Sequence, residues 1–93
     1  MEIQAKHITV HGRVQGVGFR YFVRDAGKKR GLTGDARNCS DGTVEIVVEG
    51  DAAEINGFIE EVKRGPARSR VKRVDISDIP AQSAYNTFLV EGK

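Results

Sequence analysis

The residues best suited to chemistry sit in one short stretch, Gly12-Arg13-Val14-Gln15-Gly16-Val17-Gly18-Phe19-Arg20. Glycine reaches backbone conformations closed to other residues and lets a ligand come close to the main chain. Successive backbone N–H groups turned into a concavity, completed by a helix N-terminus, make an anion site. Arg20 falls in the first turn of the helix predicted to follow. From there its planar guanidinium can reach the same anion in bidentate fashion. This combination suits a phosphate carrying two negative charges. Two other glycine motifs fail on single residues. A dinucleotide fingerprint needs a third small residue after Gly16-x-Gly18, where Tyr21 stands. A Walker loop needs Lys followed by Ser or Thr, which Phe19-Arg20-Tyr21 does not supply. Glycines alone would fit a merely flexible strand–helix connection equally well.

The flanking elements follow from periodicity. From about Lys6 to Val14, Ile8 and Val10 alternate with His7, Thr9 and His11, the period-two pattern of a half-buried strand. After the glycine-rich break, Phe19, Phe22, Val23 and Ala26 form the stripe of an amphipathic helix over Phe19 to Arg30. Gly31 suits a left-handed stop. Thr33 to Cys39 reads as a short polar strand, Ser40-Asp41-Gly42 as a turn, and Thr43 to Glu49 as a strand with Val44, Ile46 and Val48 on one face. Asp51 and Glu54 are spaced as a capping box ahead of a second helix, whose buried stripe is Ile55, Phe58, Ile59 and Val62 and whose end is Gly65-Pro66. Val71 to Ser77 gives another strand, with Val74 and Ile76 facing one way, and Phe88 and Val90 suggest a short last one.

Two helices with apolar stripes must cover one face of a sheet. The order strand, helix, strand, strand, helix, strand therefore predicts an α+β, ferredoxin-like sandwich: a split β-α-β unit used twice, an antiparallel sheet of four or five strands, and two helices on one face. Right-handed crossovers place the first and third strands centrally and side by side. The opposite face of the sheet is expected to be largely solvated.

Ninety-three residues make one domain, 1–93, because a second core would need roughly 50 more residues. No apolar run approaches the ~20 residues that cross a bilayer. The N-terminus lacks the basic and apolar regions of a signal peptide, so a cytoplasmic protein is expected, with no membrane partner. A single cysteine, Cys39, leaves no intrachain disulfide and no cysteine metal cluster. The net charge of +2 is far from the bias of a dedicated nucleic-acid binder.

The loop resembles, position for position, the first signature of the acylphosphatase family: Val10, Gly12, Val14, Gln15, Gly16, Val17, Phe19 and Arg20 all match. The second family signature is matched by Gly34, Ala36, Arg37, Asn38, Gly42 and Val44, with Gly50 at a later glycine position. Asp35 departs from it, standing where the family usually has an aromatic. The resemblance covers essentially the whole chain. It implies hydrolysis of a carboxyl–phosphate anhydride to a carboxylate and inorganic phosphate, without cofactor, metal or covalent intermediate. Carried over by position, the backbone amides of Gln15, Gly16, Val17, Gly18, Phe19 and Arg20, with the Arg20 guanidinium, hold the phosphoryl oxygens. Asn38 holds the attacking water in line with the departing carboxylate. Phosphoryl transfer passes through a loose transition state and depends on positioning and charge stabilisation, which suits this inventory. The implied partners are a small-molecule acyl phosphate and inorganic phosphate, with the chain a monomer and a free enzyme complete on its own.

Other polar features read more blandly. His7 and His11 share a strand face but lack a third ligand, so they read as surface or packing residues. Arg20, Arg24 and Lys28 form a helical stripe which beyond Arg20 is a solvated face. Arg64, Arg68, Arg70, Lys72 and Arg73 form a basic cluster, again read as solvated surface. Alternation turns Cys39 away from the side of Asn38. Two other function classes stand as alternatives. An acylphosphatase-like module could carry an acyl or carbamoyl phosphate for another enzyme. A ferredoxin-like RNA binder would need exposed aromatics on the central strands, where Ile8, Val10, Ile46 and Val48 stand instead.

Overall fold

A computed structural model describes residues 2–92. Its elements are β1 (Ile3–Arg13), α1 (Phe19–Lys29), β2 (Thr33–Asn38), β3 (Val44–Asp51), α2 (Ala52–Arg64), β4 (Arg70–Ile79) and β5 (Phe88–Glu91). The sheet order is β4-β1-β3-β2-β5. β1 and β3 are central neighbours, paired antiparallel with Ile8 opposite Ile46 and Val10 opposite Val44. Those residues share a face, and there the core forms: Ile8, Val10, Val44, Ile46 and Val48 meet Phe19 and Val23 of α1 and Ile55, Phe58 and Val62 of α2. All are essentially removed from solvent. This is the two-layer sandwich with both helices on one face.

In β4-β1-β3-β2 each strand is antiparallel to its neighbour, and β5 extends the sheet by running parallel to β2. Phe88 anchors it. The ring is buried against Phe58, with centroids 5.7 Å apart, and lies directly over Gly27 of α1.

Several local expectations are refined. β1 starts earlier than periodicity indicated and ends at Arg13, with a bulge between His11 and Gly12 where it meets β4. Ile76 faces the core side, opposite Ile8, yet is 41% exposed, because β4 is an edge strand that α2 only partly covers. The capping box does not form. Asp51 occupies the N-cap position without a side-chain hydrogen bond, and the Ala52 N–H donates instead to the Glu2 carbonyl at 2.8 Å. Glu54 turns to Arg30 (3.2 Å). Arg30 and Lys29 of α1 also donate to Glu61, a buried carboxylate on α2, at 2.8 and 3.1 Å. Burial would push the Glu61 carboxyl up, but these two cations outweigh it and hold it below the usual carboxylate range.

The sheet face away from the helices is not uniformly open. β4 and β5 lie at opposite edges, so residues 80–87 must cross between them. The amides of Gln82 and Ser83 donate to the Glu49 carboxylate at 3.0–3.1 Å. Glu49 alternates with core-facing Val48 and therefore points to the other face, which the connection crosses as a strap. On that face His7 pairs with Glu45, and His11 with Asp75, as ordinary partly exposed contacts.

Candidate active site

The Gly12–Gly18 segment is pinned at both sides by apolar anchors. Val14 and Val17 are buried in the core, and Phe19 is buried at the first position of α1. Between them Gly16 and Gly18 take φ of 73° and 78°, the left-handed region. The space beside each is open, so conformation and not crowding selects glycine there. Gly18 is the N-cap of α1, makes no side-chain cap, and is followed by no acidic residue in the first turn. The first turn closes where the Phe22 N–H donates to the Gly18 carbonyl at 3.0 Å. The preceding N–H groups of the helix lack intrahelical acceptors, and the helix dipole favours an anion in front of them.

Gln15 has a different task from the rest of the loop. Its side-chain amide donates to the carbonyls of Cys39 (2.8 Å) and Thr43 (2.9 Å), tying the loop to the β2–β3 hairpin. The hairpin is itself braced. The Cys39 N–H donates to the Thr43 carbonyl, and Asp41 accepts from the Thr43 N–H and hydroxyl at 3.1 and 2.6 Å. Those two bonds, the hydroxyl foremost, hold the Asp41 carboxyl below its ordinary range. Asn38, the last residue of β2, pairs with Val44 and shares its core-side face. It is thereby fixed beside the glycine loop.

The result is a cavity of about 200 Å³ lined by Val14, Gly16, Gly18, Phe19, Arg20, Tyr21 and Asn38. Gly16, Gly18, Phe19, Arg20 and Asn38, all read from the sequence as site residues, meet here. Gln15 and Val17 do not line it; one tethers and the other packs. Cys39 is also absent from the lining. Two hollows of comparable size lie elsewhere, one between Ile3 and Ile79 and one lined by Lys63, Val71, Lys72, Arg73 and Val74; neither is lined by the glycine loop or a helix N-terminus.

Two contacts complete the site. The Arg20 Nη1 donates to the main-chain carbonyl of Glu91 at 2.6 Å, so β5 holds one corner of the guanidinium. Its other nitrogens remain for a ligand. The Asn38 side-chain oxygen is buried, and no protein donor reaches it. Buried acceptors are rarely left so, and a site water is the natural donor. Sequence reasoning missed the Glu91 contact, which depends on a parallel strand pairing with no local signal. It also missed Tyr21, 52% exposed at the cavity mouth, with the Arg24 guanidinium 5.1 Å over its ring. Among the described residues no three His, Cys, Asp or Glu side chains gather as a metal-binding group. Among the same residues no helix is long and apolar enough to cross a membrane.

Comparison with known proteins finds relatives over nearly the whole chain. A family profile described as Acylphosphatase matches residues 6–90. A relative from Bacillus pumilus named acylphosphatase is 40% identical over 86 residues, covering 92% of this chain and 96% of the relative. One from Koribacter versatilis, with the same name, is 39% identical over 89 residues, covering 96% and 81%. The crystal structure of acylphosphatase from Bacillus subtilis superposes with a TM-score of 0.90 at 38% identity, covering 98% of this chain and all of that one. The same fold also forms 12% of full-length HypF, at 33% identity and a TM-score of 0.86. The profile and the full-length relatives together show that this chain belongs to the acylphosphatase family.

Proposed function

We propose that this chain hydrolyses the carboxyl–phosphate anhydride of small-molecule acyl phosphates to a carboxylate and inorganic phosphate, using neither a metal nor a covalent intermediate. The observation that carries this reading is the orphaned Asn38 oxygen, placed in the same cavity as the helix N-terminus and Arg20. The amides around Gly16 and Gly18, with the first turn of α1, receive the phosphoryl oxygens. Arg20 adds a fixed cation through the nitrogens that Glu91 does not use. Asn38 accepts a hydrogen bond from the attacking water and turns its lone pair toward phosphorus. No carboxylate lines the cavity to serve as base. The water's proton therefore passes to the substrate's own phosphoryl oxygen. The departing carboxylate is already a good leaving group and needs no strong acid. Charge stabilisation by preorganised donors then carries most of the rate.

The same reading makes the chain a monomer that works in the cytoplasm, with inorganic phosphate as product and competitive ligand. Its test is the hydrolysis of benzoyl phosphate by the purified protein in the presence of a chelator, with inorganic phosphate as competitor. Turnover unaffected by the chelator and competitively inhibited by phosphate is expected. Metal dependence, or no turnover above background, would turn the assignment toward a module that only binds acyl or carbamoyl phosphate.

A further inference from the structure

The departure from the family pattern at Asp35 leads to a group of charges outside the cavity. Asp35 alternates with core-facing Ala36 and so points to the sheet face crossed by the strap, where it is only 1% exposed. A carboxylate this buried requires partners. One oxygen accepts from the Arg37 guanidinium at 2.7 Å, and the other has no donor in fixed position. The same Arg37 nitrogen reaches the Glu91 carboxylate at 3.3 Å, because Arg37 and Glu91 are register partners across the parallel β2–β5 pair. Glu91 is also the residue whose carbonyl holds Arg20. One residue of β5 thus presents its side chain to the charge group and its main chain to the candidate active site.

We propose that Asp35, Arg37 and Glu91 act as a protonation-sensitive clamp that seats β5 on β2 and so positions the Arg20 guanidinium. These are positioning residues, since none lines the cavity. The inference rests on Arg20 being the phosphoryl ligand. When the Glu91 carboxyl is protonated it donates to the free Asp35 oxygen, Arg37 neutralises Asp35, and the three groups sum to zero charge. When Glu91 ionises, two carboxylates share one guanidinium and the group carries one negative charge.

The surroundings favour the protonated form. The hydrogen bond to Asp35, followed by the charge of Asp35, raises the Glu91 carboxyl above its ordinary value, against the lowering effect of Arg37. From the strap, burial and the neighbouring Asp35 raise the Tyr85 phenol, so it keeps its proton and stays neutral. From β3, Glu45 stands opposite Arg37, but it is engaged by His7 of β1 at 3.3 Å. From α1, Arg20 approaches at the carbonyl. Because Glu91 is raised in the folded state, its contribution is complete below the unfolded value of about 4.3 and is lost as pH rises through the higher folded value. Loosening β5 frees Arg20 to sample other rotamers, which weakens anion binding by roughly three- to tenfold, the scale of immobilising one such side chain.

Sulfate tests this cleanly, because it is a dianion throughout the range and does not itself titrate. Its dissociation constant is to be measured by calorimetry from about pH 4.5 to about pH 8 for the wild-type chain and for Glu91→Gln, Asp35→Asn and Arg20→Gln. In wild type, affinity is expected to fall as pH rises. Glu91→Gln mimics the protonated carboxyl at an exposed site. It is expected to bind at the tight, low-pH value with a flat profile, and Asp35→Asn is expected to be flat as well. If Asp35→Asn does not fold, Glu91→Gln decides alone. A Glu91→Gln profile that falls as steeply as wild type overturns the clamp while leaving the cradle intact. If wild type binds sulfate no better than Arg20→Gln at any pH, the cradle fails and the clamp with it.

Discussion

Replacing Arg20 by lysine separates charge from geometry. On the proposed reading the guanidinium has two tasks at once. Nη1 holds the Glu91 carbonyl at 2.6 Å, and Arg20 lines the cavity together with Gly16, Gly18 and Asn38. Lysine keeps the charge but offers one compact nitrogen on a flexible stem. It can sit near Glu91 or near the anion, and cannot present two parallel hydrogen bonds to phosphoryl oxygens. At least one charge-assisted hydrogen bond is lost, and such bonds are each worth about 1.5–3 kcal/mol. That converts to a fall of roughly 10- to 150-fold in kcat/KM for benzoyl phosphate. The inhibition constant of inorganic phosphate should weaken in parallel, because product and transition state share these contacts. Thermal unfolding, followed by circular dichroism, should change little, since Arg20 lies outside the apolar cluster of the core. A lysine variant within about threefold of wild type would refute the division of tasks, showing that charge alone suffices at this position.

Three further substitutions probe the scaffold. Gln15→Ala removes both bonds that tie the loop to the hairpin, leaving the Cys39 carbonyl to the Gly42 N–H and the Thr43 carbonyl to the Cys39 N–H. A stability loss of about 1–3 kcal/mol is expected in urea unfolding, with a fall in turnover because Asn38 precedes Cys39. Gly27→Ala would put its new carbon 2.3 Å from the Phe88 ring. The ring must shift, so the variant should lose about 1–3 kcal/mol and loosen β5, read as faster amide exchange in residues 88–91. Glu61 carries the expected pH dependence of stability. Its carboxyl is held low in the folded state, so its contribution is present above the unfolded value of about 4.3 and lost as pH falls through the lower folded value. Melting temperature should drop in that acidic window for wild type, and Glu61→Gln should be less stable at neutral pH by about 1–2 kcal/mol with a shallower acid limb.

Much of this architecture was legible in the sequence because period and burial agree. Ile8 and Val10, the stripe from Phe19 to Ala26, Val44 to Val48, and Ile55 to Val62 each mark the face that meets the core. The glycine loop was legible because few backbones need two nearby left-handed positions ahead of a helix, as Gly16 and Gly18 supply. What escaped was decided by contacts distant in the chain. Asp51 and Glu54 have the spacing of a capping box, but the start of β1 delivers the Glu2 carbonyl to Ala52 and Arg30 draws Glu54 away. Residues 80–87 carry no periodicity, so nothing local signals that they cross the sheet. Asp35 is charged, and its buried position is made by residues distant in the chain, Tyr85 of that strap and Glu91 of β5, together with Arg37. Arg20 stood out as a candidate anion ligand, whereas its anchor is a main-chain carbonyl that any residue at position 91 would provide.

Asn38→Ala measures the central claim most directly. Single turnover of benzoyl phosphate and binding of inorganic phosphate are to be followed on the same preparation. Loss of the water-directing amide should lower the hydrolytic rate by roughly 10²- to 10³-fold, the cost of removing one preorganised polar group. Phosphate affinity should stay near wild type, because the loop amides and Arg20 are untouched. Near-normal turnover in Asn38→Ala, or a loss of phosphate binding as large as the loss of rate, would contradict the assignment of the buried Asn38 oxygen to the attacking water.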